Sequence, residues 1–250
     1  MMKEKRDYRY EHKLNIAKGY IDEKKYLHAI QIYNSLLEEN PDKDEIYYKL
    51  ASVYEKINSV EVGAKLLADL LEKNSDSKEI RMYAGHFYFR NSMWDRTVET
   101  LSYFLPSEEP ITSFFIGFSH FMLNEDDLAL NSFENFISSN TNSEYIPDAF
   151  IYIAKINIRA KDYDKALHTL NKAAMFYENF YEMHLLFAQC FYYLGMDAHA
   201  TKAIEKALKL KKKDYSVLEW AGLIYLRVGD YKKAESFLIK AVKENENTNP

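Results

Sequence analysis

Trp220-Ala221-Gly222-Leu223-Ile224-Tyr225, followed by Gly229-Asp230-Tyr231-Lys232-Lys233-Ala234, sets one small residue inside an apolar stretch and a second just past a Gly-Asp turn. Both small residues recur along the chain. The first series is Ala17, Ala51, Gly85, Gly117, Ala154, Ala188 and Gly222, and the second is Ala29, Gly63, Thr97, Ala129, Ala166, Ala200 and Ala234. In both, the successive gaps are 34, 34, 32, 37, 34 and 34 residues. Two series in one register signal an internal repeat.

Other positions travel with them. Three residues after the first series stand Tyr20, Tyr54, Tyr88, His120, Asn157, Phe191 and Tyr225. Four after the second stand Tyr33, Leu67, Leu101, Phe133, Leu170, Ile204 and Leu238, and three further on Leu36, Leu70, Phe104, Phe136, Ala173, Ala207 and Ala241. Spacings of three and four mark one helical face. Small side chains let two helices approach closely, and the large residues a turn away fill the gap. A lone hairpin leaves an apolar face bare, and the next one covers it.

These residues resemble the tetratricopeptide repeat family, with the closest match in the last repeat and Pro41 where the family places a proline. The resemblance implies an all-α, right-handed α-solenoid of about seven antiparallel helix-turn-helix hairpins. Residues 1–9 then form an N-terminal extension, and the repeats run 10–43, 44–77, 78–109, 110–143, 147–180, 181–214 and 215–248. Thr97, Asn157 and His120 depart from the pattern, and the third repeat is short, ending near Pro106. The polar run from Ser138 to Ser143 before Pro147 reads either as a longer loop or as a hinge at 138–146.

Composition agrees with helices. The 250 residues include 7 Gly and 5 Pro, too few turn formers for a sandwich or a doubly wound sheet, and 47% are hydrophobic, enough for a sizeable core. The net charge of −5 disfavours nucleic acid as a partner. Charge is uneven: residues 91–150 hold ten acids against Arg96, while 201–250 hold eleven Lys or Arg against seven acids. Lys209, Lys211, Lys212 and Lys213 cluster where a helix should end, and they answer its dipole there. The first ten residues lack the apolar core of a signal peptide, so the expected address is cytoplasmic.

Nothing in the sequence calls for catalysis or a cofactor. There is no phosphate-cradling glycine loop, HExxH, CxxC or GxSxG. No histidine pairs with another at i+3 or i+4 as a metal site on one helix would need. Cys190 reads as a small core residue, and Glu125-Asp126-Asp127 as acids opening a helix. The expected class is a non-enzymatic scaffold or adaptor that binds protein, with no metal.

By the resemblance, the first helix of each hairpin lines an inner face. The expected partner-binding residues are Met82, His86, Phe89, Phe114, Phe118, Phe121, Met122, Ile151, Ile158, Leu185, Tyr192 and Tyr193. The fourth repeat leads, since Ile111, Phe114, Phe118, Phe121 and Met122 are all large and apolar. Such a face in an open solenoid marks an interaction site for an amphipathic helix or extended apolar segment, with Phe114, Phe118 and Phe121 as anchors; otherwise it is internal core. Leu14, Ser52 and Met82 stand where the chaperone-tail binders of the family need Lys and Asn. The asparagine ladder of its sugar-transferase members is replaced by Asn15, Lys49, Tyr83, Phe115, Tyr152, Leu186 and Trp220. The last helix carries Phe237, Leu238, Ile239 and Val242 with no polar cap beyond it. Self-assembly as a structural component, forming a homodimer or larger homo-oligomer through that end or through the groove, is the alternative reading.

Overall fold

A computed structural model describes residues 2–139, 142–176 and 179–248. The described residues form fourteen helices and no strand. The chain divides into two compact units, 1–104 and 105–250. The first holds α1 (Met2–Asp22), α2 (Tyr26–Glu39), α3 (Asp44–Lys56), α4 (Val60–Lys73), α5 (Lys78–Arg90) and α6 (Trp94–Leu101). The second holds α7 (Pro110–Met122), α8 (Asp126–Ser139), α9 (Ile146–Arg159), α10 (Tyr163–Ala173), α11 (Tyr181–Tyr193), α12 (Asp197–Leu210), α13 (Tyr215–Arg227) and α14 (Tyr231–Thr248).

Within each unit a helix packs on the next, as a stack of hairpins requires. The fold is thus all-α, of the α-solenoid class. Residues 2–9 continue α1 as helix. The polar run at 138–146 lies inside the second unit, and its Asn140 and Thr141 are outside the described residues.

The hairpin turns explain the lockstep gaps. Lys24, Asn58, Ser92, Asn124, Lys161, Gly195 and Gly229 all have positive φ, between 58° and 83°. In each turn the residue after this one donates its N–H to a carbonyl five residues back, as in Lys25 N to Tyr20 O at 2.8 Å and Asp230 N to Tyr225 O at 2.9 Å. The left-handed residue itself donates three residues back, as in Lys24 N to Ile21 O at 2.9 Å. This is the Schellman ending, which satisfies carbonyls a helix terminus leaves bare. Its acceptors are Tyr20, Tyr54, Tyr88, His120, Asn157, Phe191 and Tyr225. One geometry, repeated seven times, turns every first helix back onto itself after the same number of residues.

The small residues sit where helices touch. All fourteen members of the two series are buried. A methyl at Gly222 would come within 2.5 Å of Leu238 Cγ, one at Gly117 within 3.0 Å of the Phe133 ring, and one at Gly85 would overlap the Leu101 side chain. The large partners Tyr33, Leu67, Leu101, Phe133, Leu170 and Ile204 are almost wholly enclosed. Each such burial stabilises by about 1.5–3 kcal/mol. The departures are accommodated locally: the Thr97 hydroxyl donates to Met93 O at 3.0 Å, and His120 Nδ1 meets Glu125 Oε2 at 2.6 Å.

Helix starts are capped by side chains at several joints. Ser77 accepts from Ile80 N, Asp162 from Lys165 N and Asp214 from Val217 N. Asp126 and Asp127 fall in the first turn of α8, where carboxylates favour the positive end of the helix. Cys190 is enclosed, and burial pushes its thiol up to about 12, so it stays protonated.

Candidate protein-binding surface

In the second unit the first helices α7, α9, α11 and α13 pack side by side, and the face they share carries most of the expected site. The fourth-repeat phenylalanines are largely used up inside the protein. Phe114 is only 5% exposed, with Tyr145 at 5.0 Å, Phe136 at 5.4 Å and Phe133 at 5.8 Å between ring centroids. It is a core residue and not an anchor. Ile151 and Leu185 are likewise enclosed, each in a core cluster with alanines of the neighbouring helix.

Phe118 and Phe121 are half-buried against Tyr152 of the next hairpin, with centroids at 5.0 and 5.1 Å. Tyr152 also stacks on Phe133, 5.7 Å away at 7°. Four phenylalanines thus converge on one tyrosine, whose hydroxyl burial pushes up to about 12. The Lys155 ammonium lies 4.8 Å from that ring and pairs with Glu182 at 2.6 Å. Tyr152 stands at a position otherwise notable only for lacking asparagine. Its aromatic character at the same repeat register as Tyr83 and Trp220 was the available signal.

A second aromatic group closes the face at α11 and α13. Tyr193 stacks on Tyr163 at 4.8 Å and meets Trp220 edge-on at 5.8 Å, and Tyr192 meets Trp220 at 5.6 Å. What remains open to solvent is Tyr193 at 51%, Leu226 at 48% and Met122 at 44%, each within the last two residues of its first helix. Ile158 is half-buried beside them in α9. Leu226 stands at the same inner register of its repeat as Phe121 in the fourth.

Arginines hold neighbouring hairpins together along this face. Arg159 Nη1 donates to Asn124 Oδ1 at 2.9 Å and to Asp126 Oδ1 at 3.0 Å, with its guanidinium 4.7 Å from the Phe121 centroid. Arg227 donates to Tyr192 O at 2.6 Å, pairs with Asp197 at 2.9 Å and covers the Tyr192 ring at 4.5 Å.

The first unit presents a different face. Its cleft, of about 560 Å³, is lined by Glu11, Leu14, Asn15, Lys18, Ile21, Glu45, Tyr48, Lys49, Ser52 and Tyr83, nearly all from α1 and α3. Tyr48 and Tyr83 stack at 4.0 Å, and Tyr83 donates to Tyr48 O at 2.9 Å. The Tyr48 hydroxyl is buried without a hydrogen-bond partner, and burial pushes it up to about 12. Met82, His86 and Phe89 are half-buried in α5, with Phe89 edge-on to Trp94 at 5.7 Å. Burial and the Arg90 charge hold the His86 imidazole below its usual value. Arg90 grips Glu55 through Nε at 2.7 Å and Nη2 at 3.0 Å. Burial works to raise the Glu55 carboxyl, but the hydrogen bonds from Arg90 and Asn91 outweigh it and hold it low.

Among the described residues no group of His, Cys, Asp and Glu is placed to hold a metal ion, and no helix is long and apolar enough to cross a membrane.

Comparison with known proteins agrees with this architecture. Family models described as tetratricopeptide repeat match residues 20–85 and 215–248. The BBSome complex member BBS4 homolog of Drosophila melanogaster is 24% identical over 198 residues, which is 78% of this chain and 40% of that protein. The chain therefore spans two fifths of the length of that curated relative. Among solved structures, the C-terminal part of a TPR repeat-containing protein from Cytophaga hutchinsonii superposes with a TM-score of 0.67 at 18% identity, covering 93% of this chain and 95% of that one. A tetratricopeptide repeat protein from Parabacteroides merdae gives 0.66 at 14% identity, covering 94% and 93%. Two small-residue series in one register, seven identical turn closures and these matches identify tetratricopeptide repeats in the chain, with family models covering residues 20–85 and 215–248.

Proposed function

We propose that this chain is a protein-interaction scaffold, without catalytic activity, that binds an amphipathic helix or extended apolar segment of a partner on the face of α7, α9, α11 and α13. The observation that carries it is the exposure of Met122, Tyr193 and Leu226 at the ends of three of those helices. Large apolar side chains left in solvent around aromatic residues favour a protein interface. Phe118, Phe121, Ile158 and Tyr192 form its half-buried floor, and Lys155, Arg159 and Arg227 a polar rim. Met82, His86 and Phe89 offer further contacts on the first unit alone. The relative named as a BBSome complex member supports a role inside a multiprotein assembly.

The test is site-specific photo-crosslinking from Met122, Tyr193 and Leu226 in the native host, followed by mass spectrometry. Crosslinks to one partner that vanish in a Met122→Glu, Leu226→Glu double variant of unchanged helicity support the proposal. Crosslinks arising only from other faces overturn it.

A second reading rests on α14, where Ile239 and Val242 are exposed on the terminal helix. A second copy covering them makes a homodimer. Its signature is a mass in light scattering that rises with concentration and returns to the monomer in Val242→Glu.

A further inference from the structure

On the second helices of the second unit lies another cleft, of about 350 Å³, between α10 and α12 with α11 as its floor. That volume falls within the range of cavities that hold ligands, about 300–1,000 Å³. Its floor is apolar: Met183 is enclosed, and the Phe187 and Phe191 rings stack at 6.0 Å. Its wall is cationic. Lys202 and Lys206 stand one turn apart on α12, and His199 packs on Phe191 at 5.2 Å. Among the described residues no carboxylate lines the cleft.

Lys202 and Lys206 are both exposed on α12, open to a ligand entering the cleft. Among the described residues no acid pairs with Lys202 or Lys206. Two exposed ammonium groups beside an aromatic floor, neither held in an ion pair among the described residues, complement a ligand that is negative and apolar at once.

We infer that this cleft docks an acidic segment of a partner protein carrying one large apolar side chain. The apolar group fills the space over Phe187 and Phe191, and flanking carboxylates meet Lys202 and Lys206. A protein segment fits better than a nucleic acid. Two lysines on a chain of net charge −5 give little attraction for a phosphate backbone, whose binding rests on many cations. This site is separate from the first-helix face and stands or falls independently of it.

The experiment is fluorescence anisotropy on the full chain, with a labelled peptide bearing one phenylalanine flanked by glutamates. The expected result is saturable binding that weakens about tenfold or more in the Lys202→Glu, Lys206→Glu variant. Binding also falls when the peptide phenylalanine becomes alanine, and it is unchanged in Met122→Glu, Leu226→Glu. Both lysines are exposed, so circular dichroism should match the wild type. Absence of saturation at about 1 mM peptide overturns the proposal, as does equal binding by the charge-reversed variant. Tighter binding of a single-stranded oligonucleotide than of the peptide also overturns it. So does a concentration-dependent mass that the lysine reversals abolish while no peptide binds, which would assign the cleft to a second copy.

Discussion

Arg159, the last residue of α9, reaches back to Asp126 at the start of α8, and on the way its guanidinium covers Phe121. Arg90 and Arg227 end α5 and α13 and make equivalent reaches to Glu55 and Tyr192. The arginines belong to the third, fifth and seventh hairpins, and each grips the hairpin before it. The device therefore repeats every second hairpin. Exposed ion pairs contribute about 0–1 kcal/mol and a cation over a ring about 0.5–1 kcal/mol. Arg159→Ala should accordingly lower unfolding stability by about 1–2 kcal/mol, measured by urea titration. Arg159→Lys should recover only part of it, since an ammonium cannot serve the ring and both acceptors in one plane.

Gly222 packs against Leu238 at a distance that excludes a methyl group. Alanine is the better helix former by about 1 kcal/mol, so an exposed glycine changed to alanine would stabilise α13. Here the clash should win. Gly222→Ala is expected to destabilise by about 1–3 kcal/mol in thermal or chemical denaturation. Leu238→Ala added to it should restore part of the loss, giving a non-additive double-mutant cycle.

The left-handed turn residues predict opposite signs at two equivalent sites. Lys161 holds φ at 62° with a side chain, and Gly229 holds 83° without one. The left-handed conformation costs an L-residue about 1 kcal/mol. Lys161→Gly should therefore raise stability slightly, by up to about 0.5–1 kcal/mol, and Gly229→Ala should lower it by about 1 kcal/mol. Paired melting curves check both.

Glu55 gives the fold an acid-sensitive contact. Its carboxyl is held below the ordinary value of 4.5 in the folded chain. The resulting stability is present above that value and is lost as pH falls through the lower folded value. Glu55→Gln should cost about 1 kcal/mol at neutral pH. The gap to the wild type should then close as the buffer is taken below pH 4.5. A gap that stays constant with pH would exclude a charge-dependent role.

Cys190 should resist a water-soluble thiol reagent in the native protein and react promptly in urea. Its enclosure and raised pKa remove both access and thiolate. Fast native labelling would show that α11 opens locally.

The hairpins were legible in the sequence because their rule is local. A small residue in the first helix, a turn, and a small residue in the second lie within a dozen positions, as Gly222 and Ala234 do. The binding face was less legible because its burial is decided by the next hairpin. Phe114, Phe118 and Phe121 all read as one greasy stripe on α7. Only the placement of Tyr145 and Tyr152 shows that the first is enclosed and the others are half-covered. Ile151 and Leu185 were misjudged in the same way, their apolar character having been assigned to a ligand when a neighbouring helix already takes it. Leu226 stands at the same inner register of the seventh repeat as Phe121 in the fourth, so its place was legible; its exposure is decided by how α13 packs and was not.

The seven turns each fall seven residues after the first small position and five before the second, even where the overall interval contracts to 32 or stretches to 37. Every change in length therefore falls between the second small position of one hairpin and the first of the next, as in the third repeat, where α6 has 8 residues against 14 in α4. Each hairpin behaves as an interchangeable cartridge: a block cut at the joints on either side of one left-handed turn could be excised, duplicated or transplanted with its internal register preserved. Growth and shortening of such a chain proceed by whole cartridges, and the recognition surface is edited one cartridge at a time.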